Sequence, residues 1–348
     1  MTGLNDSTGI NEILLDVKNL SVTYNTNDNN ANDNNINYNN INYNRVYAVK
    51  GVDFTINRGD SLGIVGESGS GKSTLALAIL RLLPGSKTTV TGKVKFCGVD
   101  LLKLNESELR QYRWNKLAVV FQKSMNTFSP VHKIGVQMAD IYRVHKPSAS
   151  KKEVFEHCTN LLRLVNLSDR VYNLYPHEMS GGMIQRVSIA VSLLHDPDLI
   201  VFDEATTALD VITQRQILKE ISSIEEKMNM TRIMITHDIS VVASTCKKII
   251  VMYAGEIMES GYVRDVLKNP LHPYTKGLLA SFPSLKGEKT ELKTIPGFLP
   301  DLSEYKEECV FAPRCSFVYN ECRNGRPSLV AGENGRKVAC FAMSGGVN

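Results

Sequence analysis

The sequence lacks the long apolar runs that cross a membrane. Although 43% of its 348 residues are hydrophobic, no stretch approaches the roughly 18 uninterrupted apolar residues of a transmembrane helix. The first residues, 1–7, also lack the basic and apolar segments of a secretory signal peptide. We therefore expect an intracellular protein that does not span a bilayer by itself.

A strong charge of either sign is missing as well. The 40 Lys and Arg residues and the 36 Asp and Glu residues leave a net charge of +4, which is too small to indicate nucleic acid as a partner. The mild basicity is compatible with an acidic membrane surface. No heptad run predicts a coiled coil, and the length is sufficient for two or three domains.

Residues 25–44 are poor in the apolar side chains that a core requires. Asparagine accounts for 12 of these 20 residues. Such a tract cannot bury enough apolar surface to fold, and long surface loops cost little free energy. We expect a disordered loop inserted between two strands.

Elsewhere the hydrophobic pattern alternates between strands and helices. The pattern predicts strands at 13–24, 46–56 and 61–65, a helix at 73–83 ended by Pro84-Gly85, a mainly helical stretch at 127–195, and alternating strands and helices from 199 to 259. This order is typical of an α/β core interrupted by a helical insert. From about residue 268 the pattern gives way to segments punctuated by Pro and Gly, so we expect an irregular C-terminal region.

One glycine-rich segment has the spacing of a phosphate-binding loop. Gly66-x-x-x-x-Gly71-Lys72-Ser73 follows a predicted strand and precedes a predicted helix, which is the context that this motif requires. The glycines let backbone N–H groups surround phosphate oxygens, and the start of the helix adds its positive dipole end. We expect Lys72 to reach the β and γ phosphates of a nucleotide and the Ser73 hydroxyl to bind Mg²⁺.

Three further apolar strands end in polar side chains. The strand at 199–202 runs into Asp203 and Glu204, and Gln122 and His237 follow two others. Because ligands bind at the carboxyl ends of parallel strands, we expect these side chains near the phosphate loop. Asp203 suits Mg²⁺, and Glu204 is placed to orient and deprotonate an attacking water. Any one of them taken alone is more often an ordinary strand end.

Together with Ser180-Gly181-Gly182 and Asp210, these residues resemble the ATP-binding subunits of ABC transporters over about residues 12–265. The resemblance implies an ABC-type P-loop NTPase domain at 1–265, with a helical subdomain at 127–195, that hydrolyses ATP with Mg²⁺. It implies nucleotide binding by Tyr24 (Tyr47 being a possible substitute), Gly66, Ser68, Gly69, Ser70, Gly71, Lys72, Ser73, Thr74, Ser180, Gly181, Gly182 and Asp210. It implies catalytic roles for Glu204, His237 and Gln122, and Mg²⁺ ligands at Ser73, Gln122 and Asp203.

The Ser-Gly-Gly segment implies a dimer. Residues 180–182 precede a predicted helix, where bare N–H groups and the helix dipole make a second anion site. In the family this site faces the ATP of a partner ATPase subunit, usually a different chain, in a sandwich dimer. A plain helix N-cap would explain Ser180 but not the two glycines. The chain departs from the family pattern at Met179, Met183 and Ala205, and none of these changes removes a catalytic group.

A narrower resemblance extends over nearly the whole chain. Residues 180–187, 272–279, 296–297 and 309–315 are similar to the ATPases of dipeptide and oligopeptide permeases. This resemblance implies ATP-driven import of di- or oligopeptides, by a peripheral subunit at the cytoplasmic face of the membrane. It also implies two transmembrane permease subunits and an extracytoplasmic solute-binding protein as partners. Import of nickel or another small solute is one alternative, and a soluble ABC-type ATPase acting on ribosomes or DNA is a second.

Four of the seven cysteines lie within the last forty residues. Cys309, Cys315, Cys322 and Cys340 lie in the region 266–348 without the tight Cys-x-x-Cys pairs that usually indicate zinc. Four thiolates on irregular loops suit an Fe–S cluster, and the resemblance to peptide-permease ATPases implies a [4Fe–4S] cluster here. Zinc and unligated thiols stay alternatives.

Overall fold

The computed structural model describes residues 12–27, 43–121, 127–207, 209–281, 294–304 and 306–344. Most of the predicted loop at 25–44 lies outside these ranges, and so does Gln122. Within them, no helix combines the length and the apolar character needed to cross a membrane.

The strands form two sheets. They are β1 (Ile13–Asn27), β2 (Tyr43–Asn57), β3 (Ser61–Val65), β4 (Thr88–Phe96), β5 (Val99–Asp100), β6 (Leu117–Val120), β7 (Leu199–Asp203), β8 (Thr231–Ile235), β9 (Lys248–Tyr253), β10 (Glu256–Tyr262), β11 (Val330–Ala331) and β12 (Lys337–Val338). The smaller sheet is antiparallel, in the order β2-β1-β4-β5, and the larger has the order β11-β12-β10-β9-β3-β8-β7-β6.

The helices cover both faces of the larger sheet. They are α1 (Lys72–Ile79), α2 (Glu106–Tyr112), α3 (Ile134–His145), α4 (Lys151–Leu164), α5 (Gly181–Ser192), α6 (Val211–Met228), α7 (Ile239–Thr245), α8 (Val263–Lys268), α9 (Pro273–Ala280), α10 (Asn320–Asn324) and α11 (Phe341–Ser344). Helices α3 to α5 occupy the stretch predicted to be mainly helical. The predicted α/β fold with a helical insert is therefore confirmed.

The centre of the larger sheet is parallel, and this arrangement positions the site. Strand β3 pairs in parallel with β8 and β9, and β7 pairs in parallel with β6 and β8. Every residue of β3 is buried, as expected for a central strand covered on both faces. The carboxyl ends of β3, β7 and β8 therefore meet at one edge, where the loops that follow them carry the predicted functional residues.

Helix α1 joins the two sheets into one core. Its side chains Leu75 and Ile79 are fully buried and share an apolar cluster with Val17 of the smaller sheet and Ile64 of the larger one. Burial of aliphatic side chains of this size stabilises a fold by about 1.5–3 kcal/mol each. The segment that begins at the phosphate loop is thus held by packing on both sides.

The predicted end of this helix at residue 83 is wrong, because α1 ends at Ile79. Arg81 adopts a left-handed conformation with φ of +52°. Its N–H donates to the Ala78 carbonyl at 3.1 Å, and the Leu82 N–H donates to the Leu77 carbonyl at 2.8 Å. This is the pair of bonds that closes a Schellman motif. The helix therefore stops five residues before the proline that was expected to end it.

The C-terminal region is more regular than expected, because it adds strands to the larger sheet. Strand β12 pairs with β10, and β11 pairs with β12, both antiparallel.

One buried carboxylate reinforces the junction between the C-terminal region and the larger sheet. Glu259 of β10 is fully buried and accepts the backbone N–H groups of Leu271 and His272, each at 3.1 Å. It also accepts the Arg336 guanidinium, with an Nε-to-Oε1 distance of 3.0 Å.

Candidate active site

The phosphate loop connects β3 to α1, and it packs so closely on neighbouring strands that glycine is required. Gly66 has φ of +152°, and a Cβ there would overlap the Met252 carbonyl oxygen of β9. Gly71 has φ of +95°, and a Cβ there would overlap the Ala48 carbonyl oxygen of β2. These backbone angles are accessible to glycine at little cost. The path of the loop is therefore fixed by two strands that flank it.

Lys72, the first residue of α1, lies folded over the loop. Its Nζ donates to the carbonyl oxygens of Gly66 and Glu67, each at 2.8 Å, and lies 3.4 Å from the Ser70 hydroxyl. Burial lowers the pKa of Lys72, and the carboxylates of Glu204 and Asp203 oppose this shift. The loop thus places one cation among acidic side chains, at the position predicted to contact phosphate.

The predicted Mg²⁺ ligands Ser73 and Asp203 lie in contact. The Ser73 hydroxyl donates to Asp203 Oδ1 at 2.9 Å, although the residues are 130 positions apart. Burial raises the pKa of Asp203, and the Ser73 hydrogen bond opposes the rise. Hydroxyl and carboxylate oxygens suit Mg²⁺, which is held by few protein ligands together with phosphate oxygens and water. These two residues therefore fit the ion in chemistry and position.

Glu204 and His237 also come together at the same sheet edge. His237 Nδ1 lies 3.5 Å from Glu204 Oε1. Glu204 follows β7 with φ of +48°, a region that costs free energy for residues other than glycine, and its N–H donates to the Ile235 carbonyl at 2.9 Å. The backbone thus holds the Glu204 side chain at the end of β7, beside Ser73 and Asp203.

Tyr24 lies beside the start of α1. Its hydroxyl is 3.3 Å from the Thr74 hydroxyl, which places the ring next to the phosphate loop. Tyr47, the possible substitute, donates its backbone N–H to the Leu302 carbonyl at 2.9 Å. Stacking on adenine by Tyr24 stays a prediction.

The middle of the loop is more open than its ends. Ser68 and Gly69 are exposed, whereas Ser70 is buried and its carbonyl accepts the Gly255 N–H at 3.0 Å. A Cβ at Gly69 would lie 3.5 Å from Leu299 Cδ1. Residues far along the chain therefore border the loop.

The Ser-Gly-Gly segment forms the exposed start of α5. Ser180 is the N-cap residue, and its hydroxyl accepts the Met183 N–H at 3.3 Å. Gly181 and Gly182 begin the helix, and a Cβ on Gly182 would crowd Thr213 at 2.9 Å. Asp210 caps α6 by accepting the N–H groups of Ile212 and Thr213 at 3.1 and 3.0 Å. The Ser-Gly-Gly segment and Asp210 therefore start two neighbouring helices.

Two side chains that sequence analysis missed reach the phosphate loop from the C-terminal part of the chain. Arg314 donates to Glu67 Oε2 at 2.8 Å, and the Tyr274 hydroxyl accepts the Glu67 N–H at 2.9 Å. In the sequence these segments, 272–279 and 309–315, were noted only for their similarity to peptide-permease ATPases, which did not predict that they contact the phosphate loop.

Cys322 lies near each of the other three C-terminal cysteines. Burial raises the pKa of the Cys309 thiol to about 11, and the neighbouring Cys322 adds to the rise. The pKa values of Cys315 and Cys340 are also raised, first by burial and then by thiol neighbours that include Cys322. Across the described parts of the chain, no group of three or more His, Cys, Asp or Glu side chains is arranged to hold a metal ion. The structure therefore does not support the predicted [4Fe–4S] cluster.

Comparisons with known proteins agree with this geometry. Residues 49–207 match the family model described as ABC transporter, and residues 258–322 match the one described as oligopeptide/dipeptide transporter, C-terminal region. The chain is 46% identical to a probable peptide ABC transporter ATP-binding protein, y4tR of Sinorhizobium fredii, covering 86% of this chain and 91% of that protein. It is 41% identical to the oligopeptide transport ATP-binding protein OppD of Salmonella typhimurium, covering 94% and 93%.

A solved structure shares the fold. The dimeric, post-hydrolysis ATP-binding cassette MJ0796 bound to ADP and Pi superposes with a TM-score of 0.61 at 28% identity, over 72% of this chain and 99% of that one.

Proposed function

The chain belongs to the ABC transporter family, in its oligopeptide/dipeptide group of ATP-binding subunits, and from this premise we propose that its ATP hydrolysis drives the import of di- or oligopeptides. The observation that carries the proposal is the presence in one chain of the ATPase cassette and the C-terminal region matched by oligopeptide transporters. Relatives named as peptide transport ATP-binding proteins match along nearly their whole length, which supports the same cargo.

We propose these roles for the residues at the site. Lys72 and the N–H groups of residues 66–74 bind the phosphates, as expected for a loop that leads into a helix N-terminus. Glu204 orients the attacking water and accepts its proton, and His237 contacts the γ-phosphate. Mg²⁺, when bound by Ser73 and Asp203, neutralises charge on the β and γ phosphates. Positioned charges of this kind commonly contribute about 10²–10³-fold each to a reaction rate.

A second cassette completes the site in this proposal. Ser180 is exposed, so the start of α5 is accessible to the triphosphate of a partner subunit. The dimeric state named for the MJ0796 cassette supports such an arrangement. We propose that the partner is a different ATPase chain.

Two permease subunits anchor the pair at the cytoplasmic face of the membrane, and a solute-binding protein delivers the peptide. Gln122, outside the described residues, is proposed to sense the permeases.

Transport by the whole assembly tests the proposed cargo. We expect proteoliposomes that contain this chain and its partner subunits to take up labelled tri- to pentapeptides only when ATP is supplied on the ATPase side. The uptake is measured beside that of radioactive nickel, with Lys72→Ala as the inactive control. Nickel uptake without peptide uptake would show that the cargo is nickel and not a peptide. Association of the chain with ribosomes or DNA in place of membranes would favour a soluble ABC-type ATPase.

The [4Fe–4S] cluster is a separate proposal for the C-terminal region. It is supported by the four cysteines between residues 309 and 340, a number of thiolates that suits such a cluster, and by the resemblance of the chain to peptide-permease ATPases. We expect anaerobically purified protein to contain about four iron and four sulfide ions per chain. Cys322→Ser should lose them, and Cys97→Ser, at an exposed thiol, should keep them. Iron-free protein from anoxic preparation would contradict this proposal.

A further inference from the structure

A buried arginine of the C-terminal region is fixed against the phosphate loop. The Arg314 side chain is only 6% exposed and pairs with Glu67, the second residue of the loop. Its Nε donates to the Pro296 carbonyl at 2.7 Å, and one terminal nitrogen donates to the Ile295 carbonyl at 3.1 Å. The other donates to Glu67 at 2.8 Å and to the Tyr253 hydroxyl at 3.3 Å. Because several acceptors fix the planar guanidinium, its orientation toward the loop is determined.

The backbone of Glu67 is held from the same side. Its N–H donates to the hydroxyl of Tyr274 at 2.9 Å, and Tyr274 is fully buried. The ring of Tyr274 packs against Tyr253 and Phe311, with centroid distances of 4.8 and 5.4 Å. Main chain and side chain of Glu67 are thus both bound by residues that follow position 250.

Glu67 in turn contacts the cation of the site. Its carbonyl oxygen accepts Lys72 Nζ at 2.8 Å. A continuous path of polar contacts therefore runs from Arg314 through Glu67 to Lys72. A change in the position of Glu67 would alter both this path and the direction of the adjoining loop N–H groups.

We propose that Arg314 is a positioning residue for ATP, which holds the phosphate loop through Glu67 in the conformation that receives the triphosphate. The proposal rests on the proposed ATPase function. It makes the region around residues 295–314 part of the nucleotide site, although that region lies outside the segment matched by the ABC transporter model. Because Cys315 follows Arg314 directly, the segment that carries the C-terminal thiols also holds the phosphate loop.

The test compares Arg314→Gln with a matched change in the same region. Arg326 pairs with Glu256 at 3.0 Å, with side chains 20% and 14% exposed, so Arg326→Gln also breaks an ion pair between the C-terminal region and the sheet. We expect Arg314→Gln to raise the Kd for ATP about tenfold, a change of about 1.4 kcal/mol. Binding is measured on the full-length chain with a fluorescent ATP analogue. Thermal stability should fall similarly in both variants, and only the Arg314 change should alter Kd.

Two further measurements separate positioning from stability. In the complete transporter, Arg314→Gln should raise KM for ATP while kcat changes less than about twofold, since the reacting groups are intact. Glu67→Gln should raise Kd similarly, and the double variant should be no worse than either single one, as expected when two residues act through one contact. Arg314→Lys should recover part of the affinity.

The outcomes distinguish this inference from the proposed function. If the unchanged protein binds ATP and Arg314→Gln binds it as tightly as Arg326→Gln, the inference is wrong and the ATPase assignment stands. If the unchanged protein does not bind ATP, the proposed function itself is wrong. Should Arg314→Gln fail to fold, Glu67→Gln decides by the same Kd criterion, because it leaves the C-terminal region intact.

Discussion

Replacement of Glu204 by glutamine is expected to slow ATP hydrolysis by at least about 100-fold while ATP still binds, because a positioned general base commonly contributes about 10²–10⁴-fold. The carboxylate lies at the carboxyl end of β7, with Oε1 3.5 Å from His237 Nδ1 and next in sequence to Asp203. Glutamine keeps the size of the side chain but cannot accept a proton from water. The variant should therefore accumulate as an ATP-bound dimer with its partner subunit.

Phosphate release and size-exclusion chromatography in the presence of ATP measure these two effects. Glu226→Gln is a suitable control, because Glu226 is exposed on α6 and its replacement removes the same charge away from the site. Hydrolysis by Glu204→Gln at the rate of the unchanged protein would exclude Glu204 as the base.

The change Lys72→Ala is expected to abolish ATP binding at physiological concentrations. Lys72 is 4% exposed and is surrounded by Glu67, Asp203 and Glu204, whose charges favour its protonated form. Without the ammonium, these carboxylates would face the triphosphate uncompensated. Hydrogen bonds to charged groups contribute about 1.5–3 kcal/mol each, so we expect the Kd for ATP to rise at least about 100-fold.

Equilibrium dialysis with radiolabelled ATP measures this change. Lys248→Ala provides the matched control, since Lys248 is also partly buried and forms an ion pair with Asp60 at 2.7 Å. Lys248 pairs in register with Leu62 at the start of β3, so it lies at the end of the sheet opposite the phosphate loop. An unchanged Kd for ATP in Lys72→Ala would show that the loop binds the nucleotide without this side chain.

The contacts between predicted site residues could be expected from the sequence, because local motifs identify the residues and a general rule of sheet topology brings them together. The loop motif identifies Ser73, and the apolar run at 199–202 identifies Asp203, which follows it. Because ligands bind at the carboxyl ends of parallel strands, both residues are expected at one edge of the sheet. The same reasoning brings Glu204 and His237 together. These are short-range patterns, so a single sequence is sufficient to read them.

Contacts that depend on irregular segments could not be predicted in this way. Arg314 and Glu67 are 247 positions apart, and no periodicity links them, because Arg314 ends a single 3₁₀ turn, Ala312–Arg314, whose position is set by tertiary packing. The end of α1 was missed for a local reason, since Arg81 occupies a position where glycine or asparagine is the usual signal. Cysteine spacing likewise indicates a possible ligand set but not the orientation of the thiols.

The buried carboxylate of Glu259 has a consequence for how this protein can be divided. All four of its described hydrogen bonds come from residues 271, 272 and 336. A fragment cut after β10 would lose all of these donors, and removal of one partner from a buried ion pair commonly costs about 3–5 kcal/mol. A fragment that ends before residue 336 is therefore expected to be less stable than the whole chain, and studies of fragments should retain the chain through this residue.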